Sequence, residues 1–333
     1  LASFEEPSFL NNLDFVSVAM RLLVVRLSAL GDVAILEPVL RHRAEANPEV
    51  TFVVAGPPRL APLFGGMANV EYLPTAKRQS PWALFRRFMS AKPDRVADMH
   101  HVNRVIVASL LMRLCGVRIH SINKRNDAGK PSWQRYDEVF GHCGLKQGDP
   151  LASLAGDYWR SKFAERETHT IGIAPFAQHE GKIWPLDLME KLVHMLSLSG
   201  RWQVLLLGGK SDAPVLEEWE RRYPRVVSLA GKYGFGEELE WMGKMDLMVS
   251  MDSANMHFAS CRGVPVVSVW GGTHPRSGFY GWRQDPQWAV QVEMPCRPCS
   301  KYGNKPCRYG DCRCLRSVTP EMVMQRIRQV VEG

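Results

Sequence analysis

Three segments of the 333-residue chain set charged or hydroxyl-bearing residues where an apolar run gives way to a helical pattern. The first is Arg26-Leu-Ser-Ala-Leu-Gly-Asp32. Asp32 falls in the first turn of the following helix. An acidic side chain there either caps free amides or, aimed outward, acts as a general base. Gly31 beside it permits close approach of a ligand. The second segment, Ile171 to Pro185, carries His179, Glu180 and Lys182 ahead of Trp184-Pro185. A lysine ahead of a helix N-terminus joins charge to amide donors on an anion, although a solvated loop lysine shows the same pattern. The third runs from Val249 to His257. Asp252 ends a strand, Ser253, Ala254 and Asn255 open a helix, and His257 stands in its first turns. These residues suit either sugar hydroxyls and an anion, or a plain cap with a core-facing histidine. The turn Trp270-Gly271-Gly272-Thr273-His274-Pro275 could wrap a nucleotide or be an ordinary β-turn. Neither a G-x-G-x-x-G fingerprint nor a Walker loop is present at the first segment.

The elements that must carry these residues are legible from hydrophobic period. Short apolar runs at 21–27, 50–55, 70–74, 95–99 and 117–122 read as strands, and 33–47, 59–65, 82–90 and 102–115 between them read as helices. The pattern breaks over 123–150, apart from a helical stretch at 136–143. It then resumes with strands at 171–176, 202–207, 226–229, 247–250 and 264–269, and helices at 185–198, 213–223, 237–244 and 254–262. Strands alternating with helices imply βαβ units and mostly parallel sheets. Two such series imply two Rossmann-like halves, and ligands of such sheets bind outside the carboxyl ends of the strands. The expected division is an extension at 1–19, a first domain at 20–155, a second at 168–318 and a final helix at 319–333, with Thr319 as N-cap and Pro320 in its first turn.

Composition narrows the class. Apolar residues make up 45% and charged residues 23%, as in a globular protein rather than a disordered one. There are 42 Lys and Arg against 34 Asp and Glu, a net charge of +8, which favours anionic partners. No apolar run reaches the ~20 residues that span a bilayer. The first nineteen residues, with Glu5, Glu6 and Asp14, lack the pattern of a signal peptide, so a cytoplasmic protein is expected. Trp82, Phe85, Arg86, Arg87 and Phe88 form a stretch suited either to peripheral membrane contact or to a partly buried surface helix. Lys77 and Arg78 read as a basic loop. Nucleic-acid binding is the reading from another class, but no concentrated Lys/Arg stripe or recognition motif supports it. Five of the eight cysteines fall in 296–314, at Cys296, Cys299, Cys307, Cys312 and Cys314. That cluster leaves open a structural Zn2+ site, buried thiols or local disulfides.

Taken in order, RLSALGD, GKIWP and MDSANMHFASCRGVPVVSVWGGTHP resemble the glycosyltransferase family 9 heptosyltransferases, from Met20 to the C-terminus. The resemblance implies an α/β GT-B fold, two Rossmann-like domains facing across a cleft. It implies an inverting transferase of lipopolysaccharide core assembly, with ADP-heptose as donor and a lipid-linked acidic oligosaccharide as acceptor, peripheral to the inner membrane. A UDP-hexose donor is the alternative. By family role Asp32 is the base. Lys182 neutralises the leaving diphosphate, Asp252 holds sugar hydroxyls, and Ser253, Ala254, Asn255 and His257 shape the donor site with Gly271, Gly272 and Thr273. Ser28, Gly31, Asp98, His100 and Arg104 fall on the acceptor side, although Val105 after Arg104 departs from the family pattern. No cofactor or metal is obligatory in this reading, Mg2+ being an optional assistant.

Overall fold

The computed structural model describes residues 20–123, 130–147, 163 and 167–332. Strands β1 (Arg21–Val25), β2 (Thr51–Gly56), β3 (Val70–Pro74), β4 (Arg95–Asp98) and β5 (Arg118–Ser121) form a parallel sheet in the order β3-β2-β1-β4-β5. Leu22 to Val25 are wholly buried because β1 is central and covered on both faces, which is why this strand reads as an unbroken apolar run. Leu23 lies level with Val53 on one side and Val96 on the other.

Strands β6 (His169–Ala174), β7 (Trp202–Leu206), β8 (Val226–Ser228), β9 (Leu247–Met251), β10 (Val266–Val269) and β11 (Ala289–Val290) form a second parallel sheet in the order β11-β10-β9-β6-β7-β8. These two parallel sheets are the two Rossmann-like halves that the alternation of elements implies, paired as the family resemblance implies for a GT-B fold.

The helices of the first half are α1 (Leu30–Ala46), α2 (Pro81–Met89), α3 (Asn103–Leu114) and α4 (Ser132–His142). Those of the second are α5 (Leu186–Leu198), α6 (Ala213–Arg222), α7 (Phe235–Gly243), α8 (Ala254–Cys261), α9 (Arg313–Arg316) and α10 (Pro320–Glu332). Leu84, Phe88, Val105, Ala108 and Met112 pack α2 and α3 on one face of the first sheet. The other face, covered by α1 and α4, shares one continuous apolar cluster with α7 and α8 of the second half, through Phe235, Leu239, Met256 and Phe258. This seam joins the halves. A third cluster packs α5, α6 and α10 on the far side of the second sheet, so the final helix belongs to the second half.

Several bounds differ from the sequence reading. Helix α1 starts at Leu30 rather than Val33, with Gly31 and Asp32 inside its first turn. Strand β6 stops at Ala174, before Pro175, which has no N–H to donate to a ladder. Helix α4 begins at Ser132 rather than Tyr136. The two-residue β11 is too short to give a periodic signal. In the aromatic stretch of α2, Phe88 lies wholly in the core and Phe85 is half-buried, so neither is free to meet a membrane as Trp82 is. The extension at 1–19 and most of the expected boundary at 155–168 lie outside the described residues. No helix among the described residues is long and apolar enough to cross a membrane.

Candidate active site

In each sheet the strand order reverses beside its first strand, between β1 and β4 in one half and between β6 and β9 in the other. Such a switch point opens a crevice at the strands' carboxyl ends, because neighbouring connections leave to opposite faces. Asp32 follows β1, Lys182 follows β6 and Asp252 follows β9. All three candidate segments therefore sit at switch points. They meet in one cavity of about 670 Å³, lined from the first half by Ala29 to Asp32 and Arg59, and from the second by Lys182, Asp252 to Asn255 and His257. This volume suits a ligand larger than a single sugar.

Asp32 is the third residue of α1. Its Oδ2 accepts from the Ala29 amide at 3.1 Å and pairs with the Arg26 Nη2 at 2.7 Å. Arg26 also donates to the carbonyl of Met99 after β4, which fixes the guanidinium to the sheet. One carboxylate oxygen is thus tied to its own half.

Across the cavity, Lys182 Nζ lies 2.8 Å from Asp252 Oδ2, and the Thr273 hydroxyl donates to the same oxygen at 2.7 Å. Asp252 is almost wholly buried while the lysine keeps more access to the cavity, so the ammonium is the outward member of the pair. The amides that open α8 face the same space through Ala254 and Asn255. His257 is buried against this centre. Burial holds its imidazole down at about 4, despite the opposing pull of Asp252 and Asp32, so it is neutral at pH 7.

Helices α1 and α8 bring the two sides together by packing on each other. A Cβ on Gly31 would stand 2.9 Å from His257 Cδ2, and the Cys261 thiol donates to the Ala34 carbonyl at 3.1 Å.

Not every expected residue reaches the cavity. Gly271, Gly272 and Thr273 stand behind Asp252. The Gly272 amide donates to the Gly181 carbonyl at 2.8 Å, and Thr273 is buried. The turn therefore braces the lysine loop and the aspartate. Arg297 holds it from outside, donating to the carbonyls of Gly271 and Thr273, while the Cys299 amide donates to Gly272. Asp98 is wholly buried at the end of β4 and accepts from the His100 and His101 amides at 3.0 and 2.8 Å. Neither it nor Ser28, His100 or Arg104 lines the cavity. All five cysteines of 296–314 are free thiols, and among the described residues no group of three or more His, Cys, Asp or Glu side chains is arranged to hold a metal ion.

The structure adds residues that sequence reasoning missed. Arg59 pairs with Glu238 across the seam at 3.6 Å, and Tyr302 and Asn304 of the cysteine-bearing loop close one side. The turn Gly208-Gly209 after β7 contributes backbone, and a Gly pair ending an apolar strand was the signal for it. A second cavity of about 240 Å³ adjoins Asp32, lined by Arg26, Arg135, Tyr136, Phe279, Lys301 and Tyr302.

Two Rossmann-like halves with facing switch points define the GT-B class of glycosyltransferases. Residues 78–309 match the model of glycosyltransferase family 9 (heptosyltransferase), and the chain belongs to that family. It is 28% identical over 171 residues to lipooligosaccharide heptosyltransferase 2 of Haemophilus influenzae, a match covering 50% of this chain and spanning about half (48%) of that protein. It is 23% identical over 292 residues to the lipopolysaccharide core heptosyltransferase OpsX of the same organism, covering 78% of this chain and 82% of the relative. Among solved structures, E. coli heptosyltransferase WaaC with ADP superposes with a TM-score of 0.69 at 20% identity, covering 94% of this chain and all (100%) of that one. A family 9 glycosyltransferase from Veillonella parvula gives 0.70 at 18% identity, with 94% and 97% covered.

Proposed function

We propose that this protein is an inverting glycosyltransferase that moves a heptose from ADP-heptose to an inner-core acceptor of lipopolysaccharide. The observation that carries the reading is one cavity with a carboxylate on the first half and an ammonium with helix amides on the second. Asp32 takes the proton of the acceptor hydroxyl through the oxygen that Arg26 and Ala29 leave free. The hydroxyl oxygen forms a bond to the anomeric carbon from one face, and the bond from that carbon to the diphosphate breaks on the other. The electron pair leaves with ADP, whose charge is met by Lys182 and the amides that open α8. A positioned base of this kind contributes ~100- to 10,000-fold. Asp252, held by Lys182 and Thr273, keeps its other oxygen for a sugar hydroxyl. No step in this sequence depends on a metal ion.

The acceptor enters on the side of the smaller cavity. Its three cationic side chains, Arg26, Arg135 and Lys301, suit an acidic oligosaccharide. Relatives named for lipopolysaccharide and lipooligosaccharide heptose transfer, and a solved neighbour holding ADP-2-deoxy-2-fluoro heptose, support the choice of donor.

Calorimetry with ADP-heptose, UDP-hexoses and free ADP tests this reading. Selective binding of the two adenosine ligands is expected. Preference for a UDP-hexose would replace the donor while leaving the class intact.

A further inference from the structure

Three residues line both the large cavity and the smaller one beside it: Asp32 of the first half, and Phe279 and Tyr302 of the second. The junction of the two spaces is therefore framed by a carboxylate and two aromatic rings. The rings come from separate irregular segments, one following β10 and one in the cysteine-bearing loop, and their centroids stand 5.7 Å apart. Lys301 Nζ lies 5.6 Å from the centre of the Phe279 ring and 5.9 Å from that of Tyr302, so one cation ties the pair together.

Each ring is anchored through a neighbouring glycine in the left-handed region. Gly278 has a φ of +85°, and its carbonyl accepts from the Ser132 amide at 3.0 Å at the start of α4. A Cβ there would stand 2.9 Å from the Lys130 carbonyl oxygen. Phe279 is thus pinned to the first half, although its segment belongs to the second. Gly303 has a φ of +74° and lies on the stem of Lys182, where a Cβ would come within 2.7 Å of Cγ. That contact sets Tyr302 beside the ammonium that faces the expected diphosphate.

We propose that Phe279 and Tyr302 form an apolar collar that keeps water from the anomeric carbon, so that Asp32 serves the acceptor hydroxyl alone. With the transfer reaction proposed above as its basis, the collar answers a need which the charged groups cannot meet. A water at the junction would bond its oxygen to the anomeric carbon and give a proton to Asp32. The bond to the diphosphate would break, the electron pair would leave with ADP, and the sugar would be lost as free heptose. Base and leaving-group pocket assist both nucleophiles alike, so only exclusion by shape separates transfer from hydrolysis. The two rings stand where the cavities meet, beside the group that would activate either nucleophile.

The ratio of ADP released to heptose transferred tests the collar. ADP-heptose is supplied to the full chain alone and with a heptose-free inner-core acceptor, and both products are counted. The parent should release ADP almost only when acceptor is present. Tyr302→Ala and Phe279→Ala should each raise the ratio by about tenfold or more, and ADP should then form without acceptor. Tyr302 is exposed, so Tyr302→Ala should melt with the parent even if Phe279→Ala does not fold. Tyr302→Phe keeps the ring and should keep the parent's ratio. Adding Asp32→Asn to Tyr302→Ala should abolish the leak, because the same base serves water. A parent that transfers heptose while Tyr302→Ala stays as tightly coupled would overturn the collar alone. So would a raised acceptor KM with no leak, which would make the rings a sugar platform, or a leak in Tyr302→Phe equal to that of Tyr302→Ala, which would assign the effect to the hydroxyl. A parent that turns over no ADP-heptose would instead overturn the donor reading, and the collar with it.

Discussion

Gly31 of α1 touches the ring of His257 on α8 so closely that a single added methyl would stand 2.9 Å from Cδ2. This contact sets how near the two halves come at the centre of the cleft. Gly31→Ala should force the helices apart, costing about 1–3 kcal/mol of stability and most of the turnover. Denaturant melts and initial rates measure the two effects. Adding His257→Ala should recover part of the stability, as the ring is the group in the way, and a strictly additive double variant would count against the contact.

Asp32→Asn keeps the shape of the carboxyl group and removes its basicity. Turnover should fall by ~100- to 10,000-fold while the ADP dissociation constant stays within about a factor of two. Arg26→Met should also lower turnover without altering ADP binding, because it frees the carboxylate from the sheet. Full activity in Asp32→Asn would remove the base assignment.

Lys182→Ala withdraws the cation nearest the expected diphosphate. ADP should bind roughly tenfold or more weakly, with the deficit shrinking as salt rises. Because Asp252 is buried, the same change leaves an unpaired carboxylate and should destabilise the free protein. Lys182→Met with Asp252→Asn should restore stability but not ADP affinity. An unchanged dissociation constant in Lys182→Ala would show that the pair is only structural.

His257 supplies a pH test. Burial depresses its folded value to about 4 from an ordinary 6.5. The unfolded chain therefore binds the extra proton first. The contribution to stability is fully present above pH ~6.5 and is lost as pH falls towards 4. Between pH 7 and pH 5 this should remove roughly 2 kcal/mol, read from urea melts at each pH. His257→Gln should flatten that part of the slope, and an unaltered slope would place the titration elsewhere.

Much of this arrangement was legible in the sequence. The run Leu22 to Val25, short and ending in two β-branched residues, reads as a buried strand, and the placement of Asp32, Lys182 and Asp252 after strands puts them near carboxyl ends. Arg26 gave no such signal, since its value lies in a partner one helical turn beyond a bent loop. Gly271 to Thr273 misled in the opposite way. Their composition suits a ligand loop, but Arg297 and Cys299, 24 or more residues further on, fold back and turn them into a brace. Tyr302 reaches the cavity from the same distant segment, and periodicity carries no record of contacts between irregular stretches.

The guanidinium of Arg297 has a reach beyond its own turn. It secures Thr273, which secures Asp252, which in turn secures Lys182. Replacing Arg297 alone, as in Arg297→Met, would therefore loosen the pocket proposed for the diphosphate from behind, although its own side chain lines neither cavity. The tail that looks most like an afterthought holds the keystone of the donor half.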